Sequence, residues 1–319
     1  MRRAIIGLLI VAMTGSLFAG CSKKEKVIKI GVNQLVRHDA LDASYQGFVD
    51  ALKDEGYIDG ENIKIDYQIA QNDQSTANTI ATKLVNDGCD LILAIATPSA
   101  QAVANATKDI PVLVTAVTDP AGSGLVESNE KPGGNVTGTS DLTPVKKQIE
   151  LITRILPDAK KVAVLYCSSE SNSKIQVQMA KEAAEEFNLE IVEATVSNTN
   201  EIEQVVQSLV GKVDAIYAPT DNTIATGMPT VAMVANSNGL PVICGEEGMV
   251  NNGGLATYGI NYYKLGYLTG KQAVKIIRKE AKPADMPIEY LPDDEYTLTV
   301  NEEVAKQLGI EIPEDLLQQ

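Results

Sequence analysis

The chain has 319 residues, of which 44% are hydrophobic and 22% are charged; these are the proportions of a globular protein, long enough for two domains. Its formal net charge of −15 argues against a nucleic-acid partner, because phosphates require clustered Lys and Arg. A single His and the absence of a Cys-x-x-Cys pair argue against a zinc site, and no cofactor motif is present.

The first twenty residues predict a signal peptide. Two arginines follow the initiator Met, and residues 4–20 carry no charge over a run too short to favour a membrane-spanning helix. The run ends in LFAGC, which is similar to the bacterial lipobox. We therefore expect Cys21 to be lipidated, residues 21–26 to form a tether, and the protein to be anchored outside the cytoplasm on the bacterial cell membrane. A plain secretory signal cleaved beside Cys21 is the alternative.

Short apolar runs then alternate with amphipathic ones. VIKIGV, NIKIDYQI, DLILAIA and PVLVTAV predict strands, with a helix after each of the first three. From residue 161 the pattern restarts, and KVAVLY, LEIVEATV, DAIYAP and PVICG predict strands separated by helices. This βα order predicts parallel sheets covered by helices. The likeness of DLILAIATPSA to DAIYAPTDN, and of DIPVLV to GLPVIC, predicts two similar lobes.

The stretch 130–144, rich in Gly, Pro and Thr, predicts a linker or hinge between these lobes. After the second series, the sequence predicts a strand, a long helix, two further strands and a short helix, so the chain must cross between the lobes again. We predict an α/β protein of two Rossmann-like lobes with parallel sheets. The N-terminal lobe comprises 27–143 with about 259–288, and the C-terminal lobe comprises 144–258 with about 289–319.

The loops that follow the predicted strands are dense in Thr, Ser, Asn, Asp and Glu and poor in Lys and Arg. Ligands of open α/β sheets bind at this edge. Hydroxyls and helix-end amides suit a carboxylate, and Asp or Glu suits an ammonium group, so the loops favour a zwitterion over a phosphate. Helix capping is the alternative role for several of these residues, including Thr97 before Pro98, Asn172 and Asp221.

Enzymatic chemistry finds little support in the sequence. His38 is the only histidine, and its neighbour Asp39 cannot orient it as a triad partner through adjacency alone. The stretch from Gly133 to Ser140 resembles a phosphate loop but lacks the Lys that reaches the phosphates. Neither G-x-G-x-x-G nor G-x-S-x-G occurs. We therefore predict no catalytic residue, and ligand contact is the favoured role of His38.

Several long segments resemble one family. ATPSAQAVANATKDIPVLVTAVTDPAGSGLV, PGGNVTG, SSESNS, PTDNT and ATYGINYYKLG are similar to segments of the ABC-transporter substrate-binding lipoproteins for tryptophan and tyrosine uptake, over about residues 27–310. The resemblance implies the type I periplasmic binding protein fold, with three hinge crossings and a ligand enclosed between the lobes. It implies an amino-acid ligand, with an aromatic one favoured, that is delivered to an ABC permease and ATPase complex. A sensor component for a membrane signalling receptor, or a receptor for another small polar solute, is the alternative.

The positions that match the family's cleft motifs lie in five loops. They are Gln34, His38, Asp42, Thr97, Pro98, Ser99, Val117, Thr118, Asp119, Ser169, Glu170, Asn172, Ser173, Asp221 and Asn222. On this resemblance, the ligand carboxylate is expected at Ser99, Thr118, Asn172 and Ser173. The ligand ammonium group is expected at Asp221 or Glu170.

Two departures from the family pattern affect the expected cleft. The chain has no Trp and three Phe, which leaves stacking on an aromatic ligand to a tyrosine, such as Tyr45 or Tyr166, or to aliphatic and backbone surfaces. Gly227 and Pro229 predict a kink in the helix that follows Asn222.

Overall fold

The computed structural model describes residues 27–317, which fold into two α/β lobes, each with its own sheet and hydrophobic core. The predicted fold class is confirmed. The predicted signal peptide, Cys21 and the tether lie outside the described residues. Within residues 27–317, no helix is both long and apolar enough to cross a membrane.

The N-terminal lobe contains a five-stranded parallel sheet in the order β2-β1-β3-β4-β5. Its strands are β1 (Ile28–Gln34), β2 (Ile63–Ile69), β3 (Leu91–Ile95), β4 (Val112–Val117) and β5 (Val136–Ser140). Three helices connect the first four strands: α1 (Asp39–Asp54), α2 (Gln74–Asn86) and α3 (Thr97–Ala106). β3 and β4 are buried along their whole length, because helices cover both faces of a parallel sheet.

The C-terminal lobe contains a six-stranded sheet in the order β11-β10-β9-β8-β6-β7, in which only β11 is antiparallel to its neighbour. Its strands are β6 (Lys161–Cys167), β7 (Glu190–Val196), β8 (Ala215–Ala218), β9 (Val242–Cys244), β10 (Ala256–Gly259) and β11 (Thr297–Val300). Its helices are α4 (Val145–Ile155), α5 (Ser171–Glu186), α6 (Ile202–Leu209), α7 (Asn222–Ser237), α8 (Glu247–Asn251), α10 (Glu302–Leu308) and α11 (Glu314–Leu317).

The chain passes between the two cores three times: after β5, after β10, and before β11. The second passage carries α9 (Tyr262–Ile277) back to the N-terminal lobe, where it packs against α1. A Cβ on Gly266 would lie only 1.9 Å from the Ser44 carbonyl oxygen. The contact between these helices therefore requires a residue without a side chain at position 266.

The predicted linker 130–144 is wrong in part, because it contains β5. The sequence of β5, VTGTS, lacks the apolar run that marks the other buried strands. Its hydroxyls make the strand burial possible: Thr137 Oγ1 donates to the Met286 carbonyl at 2.7 Å, and Thr139 Oγ1 lies 2.8 Å from Thr269 Oγ1. At Gly138, φ is 146° and a Cβ would lie 2.0 Å from the Val114 carbonyl oxygen, so glycine is required there too.

Two further expectations are corrected. The first of the two strands predicted in the tail is only a single bridge between Thr139 and Glu289. The kink predicted after Asn222 does not break α7, which continues through Pro229. Pro229 is exposed, and Gly227 is where α7 approaches Ile202, since a Cβ would lie 2.1 Å from its Cδ1.

Candidate functional site

The two lobes enclose a narrow cavity of about 20 Å³ beyond the carboxyl ends of their strands. Both lobes supply its walls. The lining residues are His38, Leu41, Ala116, Thr118, Asp141, Asn172, Thr220, Asp221, Asn222, Ala225, Glu246, Met249 and Tyr262. A larger groove of about 570 Å³ lies at the opposite edge of the N-terminal sheet, between Ile28, Pro111 and Ile276, but only one lobe forms it. The interlobe cavity is therefore the candidate site.

Five of the predicted site residues line this cavity: His38, Thr118, Asn172, Asp221 and Asn222. The other ten lie behind the lining or away from it: Gln34, Asp42, Thr97, Pro98, Ser99, Val117, Asp119, Ser169, Glu170 and Ser173. Ser169 is exposed and faces Cys167 Sγ at 3.1 Å rather than the cleft. Ligand contact by any of these residues stays a prediction.

Glu170 is buried in the C-terminal lobe, and its carboxylate is held by hydrogen bonds within that lobe. Its carboxylate accepts from the backbone N–H of Asn222 at 3.1 Å and of Thr223 at 3.0 Å, at the N-terminus of α7. It also accepts from the side chains of Asn222 at 2.6 Å, Thr223 at 3.0 Å and Asn172 at 3.2 Å. Five donors from the protein thus satisfy Glu170, which leaves little of its carboxylate for a ligand.

The Asp221 carboxylate also accepts several hydrogen bonds from the protein. As the N-cap of α7 it accepts from the Ile224 N–H at 2.8 Å, and it also accepts from the Cys167 N–H at 2.7 Å and from Ser173 Oγ at 2.6 Å. Burial, and next the charge of Glu170, raise the pKa of Asp221. The capping role considered for Asp221 is confirmed, and Ser173 is positioned as its partner.

The opposite wall, in the N-terminal lobe, has strained backbone and unused polar atoms. Ala96 and Ala116 have φ values of 78° and 53°, in the left-handed region that non-glycine residues avoid. Ala96, not Thr97, is the N-cap of α3, and the buried Thr97 hydroxyl has no hydrogen-bond partner. Ser99 Oγ donates to Asn33 Oδ1 at 3.2 Å, within the lobe.

Two carboxyl groups that the sequence did not single out line the cavity. Tyr262 donates to Asp141 Oδ2 at 2.8 Å, whereas Asp141 Oδ1 has no partner, and burial raises the pKa of Asp141 to about 6. Glu246 caps α8 by accepting from Gly248 N at 2.6 Å and Met249 N at 2.8 Å, and burial raises its pKa to about 7. The only signal for them was position, since each directly follows a strand or its turn.

His38 links the two lobes. Its Nε2 lies 3.3 Å from Asn222 Oδ1, whereas Nδ1 is buried and has no partner. Burial lowers the pKa of His38, so the imidazole is neutral at pH 7. The ring is thus a bridging group with one nitrogen still free to bond.

Gln34, Asp42 and Tyr45 belong to a separate cluster at the edge of the N-terminal sheet. Gln34 Nε2 donates to Asp42 Oδ1 at 2.6 Å, and the Tyr67 hydroxyl donates to Gln34 Oε1 at 3.0 Å. Tyr45 stacks on Tyr67 with ring centroids 4.1 Å apart. Neither Tyr45 nor Tyr166 lines the cavity; the tyrosine that does is Tyr262.

Further hydrogen bonds hold the lobes together around the cavity. Asn72 Nδ2 donates to Thr223 Oγ1 at 3.0 Å, and Asn252 Nδ2 donates to Asp39 Oδ2 at 3.1 Å. Because such bonds can form only when the lobes meet, the structure is a closed conformation. Two lobes joined by three crossings and closed on a polar cavity define the class: a solute receptor with the type I periplasmic binding protein fold.

Comparison with known proteins gives the family. Residues 29–319 match the model of the ABC transporter substrate binding protein family, and the chain belongs to it. A tyrosine-binding protein of Clostridioides difficile strain R20291 is 47% identical to this chain over 324 residues, covering 97% of this chain and 93% of the relative. The resemblance identified from sequence is confirmed.

Two solved structures, one with bound L-Trp and one ligand-free and open, resemble this chain to different degrees. A Streptococcus pneumoniae protein in complex with L-Trp is 45% identical and superposes with a TM-score of 0.88, covering 92% of this chain and 98% of that one. A ligand-free, open substrate-binding protein from Clostridium difficile is 52% identical but reaches only 0.69, covering 90% and 96%. Since the more identical protein superposes less well, the difference lies in how the lobes are arranged.

Proposed function

We propose that this substrate-binding protein holds an aromatic amino acid in the interlobe cavity and delivers it, without chemical change, to an ABC permease and ATPase complex. The observation that carries the proposal is the composition of the cavity. Asp141, Asp221 and Glu246 line it, amides and hydroxyls accompany them, and no Lys or Arg of residues 27–317 lines it. A ligand with a positive group and hydrogen-bonding capacity fits these walls, whereas a phosphate does not.

The apolar part of the cavity supports an aromatic side chain. Leu41, Ala116, Ala225, Met249 and Tyr262 contribute aliphatic, thioether and ring surface to one small space. The cavity is small and walled by both lobes, which suits one amino acid better than a peptide. The relatives that bind tyrosine and L-Trp support the same ligand class.

Calorimetry of the purified protein against the twenty amino acids tests the ligand class. We expect saturable binding with a Kd of about 1 µM or below for tyrosine, tryptophan or phenylalanine, and at least hundredfold weaker binding of leucine, glutamate and lysine. Binding of a sugar or an aliphatic amino acid, with no response to the three aromatic ones, would overturn the proposal.

We also propose that Cys21 carries a lipid that anchors the protein on the outer face of a membrane. The support is the LFAGC sequence after an uncharged run. Cys21→Ala should release the protein into the soluble fraction and abolish incorporation of labelled palmitate, whereas Cys167→Ala should change neither. Equal membrane association of the two variants would contradict the anchor.

A further inference from the structure

Three buried polar atoms on residues of the interlobe cavity have no hydrogen-bond partner: Asp141 Oδ1, Asn172 Oδ1 and His38 Nδ1. Buried polar groups in folded proteins are normally bonded, and each one left unbonded costs about 1–3 kcal/mol. Three such atoms around one cavity therefore indicate a missing ligand group. Its chemistry depends on whether the three atoms donate or accept.

Asn172 presents an acceptor. Its Nδ2 donates to Glu170 Oε2 at 3.2 Å and to the Thr220 carbonyl at 3.1 Å. Both partners accept only, so the amide cannot be reversed without placing oxygen against oxygen. The unpartnered atom is therefore the carbonyl oxygen.

His38 also presents an acceptor. Asn222 Nδ2 donates to Glu170 Oε2 at 2.6 Å, which fixes the Asn222 amide and turns its Oδ1 toward His38. His38 Nε2 must then carry the proton. In a neutral imidazole, the other nitrogen is an acceptor.

Asp141 presents the charged acceptor. The Tyr262 hydroxyl donates to Oδ2, whereas Oδ1 has no hydrogen-bond partner although Asp141 is only 4% exposed and lines the cavity beside Thr118. No Lys or Arg of the described chain lines the cavity to supply that partner.

We propose that Asp141, Asn172 and His38 form the subsite for the α-ammonium group of the ligand, with Glu170 as the positioning residue that orients the two amides. The inference rests on the proposed function and deepens it. An ammonium group has three N–H donors, which matches three acceptors, one of them ionised. Asp221 and Glu170, the partners expected from sequence, keep their carboxylates inside the C-terminal lobe.

The test compares L-tyrosine with its deaminated analogue, 3-(4-hydroxyphenyl)propanoate, by calorimetry. The variants are Asp141→Asn, Glu170→Gln and the exposed control Asp158→Asn. Asp141→Asn keeps the size of the side chain and can still accept from Tyr262. We expect it to weaken tyrosine binding at least hundredfold and to bind the analogue at least as tightly as the unaltered protein does.

Glu170→Gln should reduce the ratio of tyrosine affinity to analogue affinity at least tenfold, a change in discrimination that a purely structural role would not cause. Asp158→Asn should leave both affinities unchanged. Tyrosine binding by the unaltered protein should weaken below pH 6, and Asp141→Asn should reduce that dependence, leaving the part due to Glu246 and Asp221, which line the same cavity.

Equal losses for tyrosine and the analogue in Asp141→Asn, or no loss for either, would overturn the ammonium subsite. If the unaltered protein binds no aromatic amino acid, the proposed function itself fails. The two failures are therefore distinguishable.

Discussion

The two walls of the cavity differ in how their buried acidic groups are hydrogen-bonded. In the C-terminal wall, Glu170 and Asp221 are buried acidic groups whose oxygens are met by donors from α5, α7 and the end of β6. On the N-terminal side, the lining residues His38 and Asp141 each keep a buried polar atom without a partner, and so does Thr97 outside the lining. The acidic groups of the C-terminal wall are thus satisfied without a ligand, and Asn172 Oδ1 is the unpartnered atom on that side, whereas the acidic group on the N-terminal side, Asp141, is not satisfied.

The difference explains how such a receptor can be rigid and still respond to its ligand. A satisfied polar network fixes geometry, because every member holds another in place. Unsatisfied groups raise the free energy of the closed, ligand-free state, and a ligand that satisfies them shifts the equilibrium toward closure. The free-energy change by which a ligand favours the closed state therefore arises mainly from groups on the N-terminal side.

The largest expected change in the free energy of unfolding comes from a substitution in the C-terminal wall. Glu170→Gln places an amide donor among five donors and should lower the free energy of unfolding by about 3 kcal/mol. Glu193→Gln is the control, since Glu193 pairs with Lys181 at the exposed edge of the same sheet and should cost about 1 kcal/mol or less. Equal shifts of the two variants in urea unfolding would break the comparison.

The buried Asp141 carboxyl group should make the stability of the ligand-free protein depend on pH. Burial raises the pKa of Asp141 from 3.8 to about 6, so the folded state binds the proton more tightly than the unfolded state. The stability contributed by this group is complete below pH 4 and is lost as pH rises through 6, by up to about 3 kcal/mol. Asp141→Asn should lose less stability than the unaltered protein in melting experiments from pH 4 to 8. Identical profiles would contradict this.

Two threonines test the walls directly. Thr223→Val removes a hydroxyl that donates to Glu170 and should lower the free energy of unfolding by about 1–2 kcal/mol. Thr97→Val removes a buried hydroxyl that has no partner and should be neutral or stabilising. Chemical denaturation without ligand measures both. A larger loss at position 97 than at 223 would contradict the view that Glu170 depends on its donors and that the Thr97 hydroxyl contributes no hydrogen bond.

The smallest effect concerns the contact between the walls. Asn72→Gly removes the bond to Thr223 yet tolerates the φ of 60° at that position. We expect about fivefold weaker ligand affinity, because the closed state loses roughly 1 kcal/mol, with little change in lobe stability. Gln71→Gly, at a neighbouring residue with φ 55°, is the control and should leave affinity unchanged in calorimetry. Matching losses in both variants would exclude a specific role for the Asn72 bond.

Much of the architecture was predictable from local pattern. The runs KVAVLY and DLILAIA, with helix-spaced apolar residues after them, predict β6, β3 and their helices because burial of a strand or a helix face imposes its period on the sequence. β5 was missed because VTGTS carries no apolar run. Its burial depends on α9, a helix more than a hundred residues later, whose Thr269 meets the Thr139 hydroxyl.

The sequence by itself determined the two-lobed α/β fold, the family and the loops that meet at the cavity, since these follow from period, order and motif. Only the tertiary structure decided which polar atoms are satisfied. Glu170 is bound by Asn222, 52 residues later in the chain, and Asp141 by Tyr262, 121 residues later. Because a hydrogen bond depends on where two side chains meet in space, nothing local distinguishes an acidic group that braces the fold from one left to receive a ligand.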